Sequence, residues 1–158
     1  MENHTIFLAF GSNLGNKKEN IETAYKIIEK QIGKIISQSA FYVTEPKDFN
    51  SDNFFINSVC EIASELSLLK VFSITQQIEV EIGRIQKSNN GHYFDRLIDI
   101  DLLMYDNVVV NTYEITVPHP RFHLRSFVLI PFAEIASNVI HPILYKTISQ
   151  LKNDLQID

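Results

Sequence analysis

Asp99 and Asp101 stand two residues apart in the run from Arg96 to Met104, alternating with Ile98, Ile100 and Leu102. In a β-strand, residues i and i+2 share a face. The two acids would therefore point the same way while the aliphatics point into a core. Neighbouring carboxylates repel each other unless a cation lies between them. Magnesium suits such a pair, because it takes oxygen ligands and commonly joins one or two carboxylates to substrate phosphates. Arg96, three residues ahead of Asp99, could hold a phosphate oxygen through its planar fork. The plainer alternatives are a solvated strand face and an ion pair of Arg96 with Asp95 or Asp99.

A second cluster runs from Val117 to Arg125 and includes Pro118, His119, Pro120, Arg121 and Arg125. The prolines hold the backbone extended, since a residue before proline avoids the helical region. The arginines offer further phosphate forks, and His119 could donate to a phosphate or serve only as a turn residue. The segment from Gly11 to Gly15 before a helix is a weak phosphate-loop candidate. It lacks both the Gly-Lys-Ser/Thr of a P-loop and the three-glycine dinucleotide fingerprint. A strand-to-helix turn with Asn16 as N-cap explains it better. Gln76, Glu79 and Arg84 lie along a helix, where an exposed polar face is the simpler account. Phe55 and Phe127 could sandwich a flat heterocycle while Asn57 reads its edge. The competing role for such aromatics is core packing.

The elements that must position these groups follow from periodicity. Thr5 to Phe10 is a buried strand ended by Gly11–Asn13, and 16–31 is a helix with Gly33 as its C-cap residue. Lys34 to Val43 and Phe54 to Ile62 are strands separated by a polar loop, 44–53. Leu68 to Ile82 is a helix stopped by Gly83, followed by a second polar loop, 87–95. Leu97 to Tyr105 is the fourth strand, and Val108–Val110 a short hairpin arm. Arg125–Ala136, interrupted at Pro131, and Leu144–Leu151 are helical candidates. The order β-α-β-β-α-β predicts an α+β, ferredoxin-like sandwich. Its four-stranded antiparallel sheet carries helices on one face, with a C-terminal extension beyond. The other sheet face is expected to be open to loops and ligands.

At 158 residues, with 45% hydrophobic and 21% charged residues, the chain reads as a single globular domain spanning 1–158. A net charge of -5 argues against a general nucleic-acid surface. A local cationic pocket fits the arginines, Arg84, Arg96, Arg121 and Arg125. The single cysteine, Cys60, allows no internal disulfide and sits in an apolar run. No secretory signal and no apolar run of about 20 residues are evident, so a cytoplasmic protein without membrane contact is expected.

Taken in order, the motifs resemble the 6-hydroxymethyl-7,8-dihydropterin pyrophosphokinases of folate biosynthesis. Arg-x-x-Asp-Ile/Leu-Asp-Ile/Leu matches Arg96 to Leu102. Val-Pro-His-Pro-Arg, then x-x-x-Arg-x-Phe-Val-Leu, matches Val117 to Leu129. Phe-Tyr-x-Thr-x-Pro matches Phe41 to Pro46, and Phe-x-Asn matches Phe55 to Asn57. The resemblance implies the ferredoxin-like fold and transfer of pyrophosphate from ATP to the pterin hydroxymethyl group. It further implies two magnesium ions on Asp99 and Asp101, with Arg84 and Arg96 clamping the phosphates. Gln76, Glu79, Leu102, Thr116 and His119 would line the nucleotide site, with Arg125 near both substrates. Thr44 and Lys47 would offer backbone groups to the pterin, Asn57 its amide, and Phe55 and Phe127 their rings. Asp99 would border the pterin as well. By the same resemblance, Tyr93 would take the closing aromatic role that a tryptophan often holds in the family. A monomer acting on these two small molecules is expected. A nucleotide-binding regulatory module and a magnesium-dependent phosphohydrolase are the alternative classes.

Overall fold

The computed structural model describes residues 3–45, 54–85 and 97–155, with the side chains of 84 and 85 excepted. Four main strands form one antiparallel sheet. They are β1 (His4–Ser12), β2 (Lys34–Gln38), β4 (Phe55–Ser64) and β5 (Asp99–Tyr105), in spatial order β2-β4-β1-β5. A short strand, β3 (Tyr42–Thr44), pairs with the far end of β4. Helices α1 (Lys17–Gln31) and α2 (Leu68–Ile85) join β1 to β2 and β4 to β5. This is the expected ferredoxin-like arrangement.

Alternation along β1 divides the core in two. Ile6, Leu8 and Phe10 face Ile21, Ala24 and Ile28 of α1 and Val71, Ile78 and Ile82 of α2. Phe7 and Ala9 face the opposite side. There they meet Val128, Leu129 and Phe132 of α3 (Ser126–Ala136) and Leu151 of α4 (Ile148–Leu155). The second sheet face is therefore not open, as periodicity alone led one to expect. The C-terminal extension covers it beyond Ala9 and leaves only the end carrying Gly11. α3 continues through Pro131, and the last helix begins four residues later than predicted. Residues 141–146 instead form a turn, with Tyr145 at φ 56° and a bridge between Ile140 and Thr147.

Two glycines behave differently from expectation. Gly33 follows the helix end, where Ile32 is the cap, but it is absent from the left-handed region. It is small because β4 passes against it: a Cβ there would lie 2.1 Å from the Ala63 carbonyl oxygen. Gly83 does not stop α2, which runs on to Ile85. The predicted strand from Lys34 to Val43 is two strands, broken at 39–41.

His141 organises the turn before α4. It is 3% exposed, and its Nδ1 accepts the N–H groups of Ile143 and Leu144, both at 3.1 Å. That arrangement requires the neutral ring. Burial, and then His123, push its pKa below the ordinary 6.5. The unfolded chain thus binds this proton more readily than the folded one. His141 stabilises the fold above pH 6.5 and loses that contribution as pH falls below it. Denaturant melts at pH 7.5 and 5.5 should show His141→Gln narrowing the difference seen for the wild type.

Candidate active site

The uncovered end of the second sheet face holds a cavity of about 580 Å³. Its floor follows from strand register. Gly11 of β1 pairs with Asn57 on one side and Asp99 on the other, and Ala9 pairs with Val59 and Asp101. Two small residues in the central strand thus open a floor between the amide of β4 and the acids of β5. Along that face β1 reads Phe7, Ala9, Gly11: the side chains shrink as the covering helices end. That gradient is legible in the sequence; β1 runs through Gly11 to Ser12 rather than ending there, and Gly11 serves as floor.

Asn57 is 5% exposed, and its Nδ2 donates to Thr44 Oγ1 at 2.7 Å. The amide oxygen then lies over Gly11, 3.2 Å from where a Cβ would be. Phe55 lines the same cavity from β4, and Phe127 from the first turn of α3. Arg125 caps α3 and lies against the Phe127 ring, 5.7 Å from its centroid. Arg125 Nη1 is 3.8 Å from Asp101 Oδ2. At that separation and exposure the pair contributes little stability. Its consequence is positional, since it holds a cation beside the acidic strand.

β5 is anchored on its outer edge. Glu79 of α2 accepts the N–H of Ile100 at 2.7 Å. β5 also carries a bulge: Phe7 pairs with Met104 and Leu8 with Leu102, leaving Leu103 as the extra residue. The Leu103 carbonyl accepts the N–H of His119 at 2.9 Å. The bulge therefore holds the histidine-arginine segment against the acidic strand. His119 Nδ1 accepts the Arg121 N–H at 3.2 Å, which leaves the proton on Nε2. Burial keeps its pKa below 6.5; Asp101 opposes this, and Arg125 and Arg121 reinforce it. The Val117–Pro118 peptide is cis, followed by a short 3-10 turn over Phe122–Leu124.

Thr44, Phe55, Asn57, Asp99, Asp101, Arg125 and Phe127 thus surround one cavity. Glu79, Leu102 and His119 belong to the neighbouring outer edge of β5, where the Leu102 side chain is buried in the core. Gln76 is exposed on α2, one turn before Glu79. Thr116 lies in β7 (Thr116–Val117), paired with β6 (Val110–Asn111), and its Oγ1 donates to Asn111 Oδ1. Lys47, Tyr93 and Arg96 lie outside the described residues, as does the side chain of Arg84. Sequence reasoning missed Asn20, a fully buried amide in α1 that donates to the carbonyls of Leu14 and Leu97. It ties the end of β1 to the entry of β5. The available signal was one polar residue on an otherwise apolar helix face.

Among the described residues, no three His, Cys, Asp or Glu side chains gather into a metal cage. Asp99 and Asp101 supply oxygen donors only, beside a cavity large enough for a phosphate chain. That donor set fits magnesium, which relies on few carboxylates and on its substrate's oxygens.

Comparison with known proteins decides the family. Residues 7–137 match 7,8-dihydro-6-hydroxymethylpterin-pyrophosphokinase (HPPK). The chain belongs to this family. A Porphyromonas gingivalis 2-amino-4-hydroxy-6-hydroxymethyldihydropteridine pyrophosphokinase is 40% identical over 138 residues, 87% of this chain and 93% of that one. The Haemophilus influenzae protein of the same name is 34% identical over 139 residues, covering 87% and 85%. A Dictyostelium discoideum folic acid synthesis protein, FOL1, is 37% identical over 153 residues, but the chain spans only 23% of its length. In fold, a Plasmodium falciparum HPPK-DHPS has a TM-score of 0.78 at 16% identity, with 97% of this chain matched to 45% of that one. Members of the family therefore occur both at this chain's length and within much longer polypeptides. Among the described residues, no helix is long and apolar enough to cross a membrane.

Proposed function

We propose that the chain transfers the β,γ-pyrophosphoryl group of ATP to the hydroxymethyl group of 6-hydroxymethyl-7,8-dihydropterin, a step of folate biosynthesis. AMP and the pterin diphosphate are the products. The observation that carries this reading is the row Asn57–Gly11–Asp99 across three strands. It sets an amide that would read a heterocycle and an acid that would face phosphate over one open floor.

The pterin would lie on Gly11 between Phe55 and Phe127, with its polar edge at Asn57 and at main-chain groups of Thr44 and Lys47. Tyr93 would close over it. ATP would lie along the outer edge of β5, bordered by Gln76, Glu79, Leu102, Thr116 and His119. Leu102, two residues after Ile100, turns its main-chain groups to that same edge and could read a purine. Asp99 and Asp101 would hold magnesium, two ions by the family pattern; when bound, it neutralises phosphate charge and lowers the pKa of the attacking hydroxyl. Arg84, Arg96 and Arg125, with the His119 Nε2–H, would steady the phosphates. The pterin oxygen bonds to the β-phosphorus, and the bond to the α,β-bridging oxygen breaks. The hydroxyl proton passes to solvent water as the new bond forms. Positioning and charge neutralisation carry most of such a transfer, with little covalent help from the protein. Residues 1–158 would act as one domain, in a cytoplasmic monomer.

The test is product identity. With MgATP and the pterin alcohol, ³¹P NMR should show AMP and a pterin diphosphate in equal amounts. ADP or free phosphate as the main product would replace this reading with a kinase or a phosphohydrolase. Tight ATP binding without turnover would make the chain a regulatory module.

The floor gives a second expectation. Gly11→Ala places a methyl 3.2 Å from the Asn57 oxygen and 3.8 Å from the Phe55 ring. Crowding of this order costs about 1–3 kcal/mol. The KM for the pterin should rise about tenfold while that for ATP stays near wild type. Equal KM values in the variant would remove Gly11 from the pterin floor.

A further inference from the structure

We propose that Glu134 and Tyr42 are positioning residues for the pterin, clamping the edge strand β3 to α3 and so setting the gap between Phe55 and Phe127. The inference rests on the function proposed above.

The need for a clamp begins in the broken edge of the sheet. Ser39 still bonds to β4, its N–H donating to the Val59 carbonyl at 2.9 Å and its Oγ accepting the Val59 N–H at 3.0 Å. Pairing resumes at Tyr42 opposite Asn57. Two residues, Ala40 and Phe41, thus stand against the single residue Ser58. Phe41 turns to the first core, stacked 6.4 Å from Tyr25. The N–H of Ala40, an exposed residue, leaves the ladder and finds an acceptor on α3.

Glu134 supplies it. Both carboxylate oxygens lie 3.2 Å from the Ala40 nitrogen, and Oε1 also accepts the Tyr42 hydroxyl at 2.6 Å. The tyrosine hydroxyl holds its proton more firmly as a result, its pKa raised first by that bond. One carboxylate on α3 therefore fixes the start of β3 at two points.

Each end of this clamp leads into the cavity. Glu134 lies seven residues, two helical turns, beyond Phe127, and so on the same face of α3. Tyr42 pairs with Asn57, and Thr44 with Phe55. Thr44 in turn accepts the Asn57 amide N–H that orients its oxygen over Gly11. Without the clamp, α3 and β3 are free to separate, and the ring pocket widens. The ATP side, on the opposite edge of the sheet at β5, is untouched by these bonds.

Tyr42→Phe removes only the hydroxyl, and Glu134→Gln keeps one oxygen acceptor; both preserve volume. A hydrogen bond to a charged group at an exposed site supports an effect of about twofold to fivefold. The KM and Kd for the pterin should rise by that factor in Tyr42→Phe, and more in Glu134→Ala than in Glu134→Gln. The KM for ATP should stay near wild type. The double variant Tyr42→Phe/Glu134→Gln should fall short of the product of the single effects, as expected for partners in one contact. Thermal melts should show each variant folded under assay conditions. A lowered Tm with an unchanged pterin KM would make the clamp merely structural and overturn the proposal, as would equal rises in both KM values. Failure of the wild type to form any pterin diphosphate would instead refute the reaction.

Discussion

Asp101→Ala should lower kcat for pyrophosphoryl transfer by about 1,000-fold or more, while the Kd for the pterin should remain close to wild type. The scale is that of losing a preorganised electrostatic contact to the reacting phosphates. Asp101 pairs across β1 with Ala9, one row below the Asn57–Gly11–Asp99 row on which the pterin would rest. Its carboxylate lies 3.8 Å from the Arg125 guanidinium, on the side proposed for the phosphates. Single-turnover assays with titrations of pterin and of ATP separate the two effects. Asp101→Asn should be nearly as inactive, because it keeps the shape and loses the charge. EDTA should stop wild-type turnover and added magnesium restore it. An alanine variant with full activity would remove the metal role from this strand.

Gly33→Ala should destabilise the protein by about 3 kcal/mol or more. At an exposed helix end, the same substitution commonly stabilises by about 0.4–1 kcal/mol. Here the sign reverses because the methyl would meet main chain, not a side chain that can swing away. The Ala63 carbonyl oxygen would be 2.1 Å off, with the Ala63 carbonyl carbon and the Ser64 Cα at 3.0 Å. Lys34, the next residue, pairs with Ala63, so relief requires β2 to shift against β4. Denaturant melts should show the midpoint displaced, with a Tm lower by roughly 10 °C for a chain of this size. A variant at least as stable as wild type would mean that β2 and β4 do not approach as closely as described.

These two residues mark how far sequence reasoning reaches. For Asp99 and Asp101 it sufficed, because a shared strand face is a property of spacing alone. The helical stripes of α1 and α2, and the order of elements that makes the ferredoxin-like sheet, were legible for the same reason. Each depends on residues a few positions apart. Gly33 does close α1, its N–H donating to the Ile28 carbonyl at 3.1 Å, but a second cause requires a glycine there. A glycine after a helix reads as a cap, and nothing local reveals that a strand thirty residues on passes over it.

The sequence by itself therefore determined which side chains share a face, where α1 and β1 lie, and, through ordered motifs, the family. Only the tertiary structure decided what each face meets. It put α3 and α4 over Phe7 and Ala9, closing most of a sheet face that periodicity left open. It set Asn57, Gly11 and Asp99 in one row through pairings across 46 and 88 residues of chain. It placed the bulge at Leu103, which ties His119 to the acidic strand, and it brought Glu134 to a break in the edge strand 94 residues away. The physical reason is common to all of these. Spacing along a chain encodes direction relative to the local backbone. Register and contact between distant segments are settled by packing, where the size of one side chain matters only against its neighbour in space.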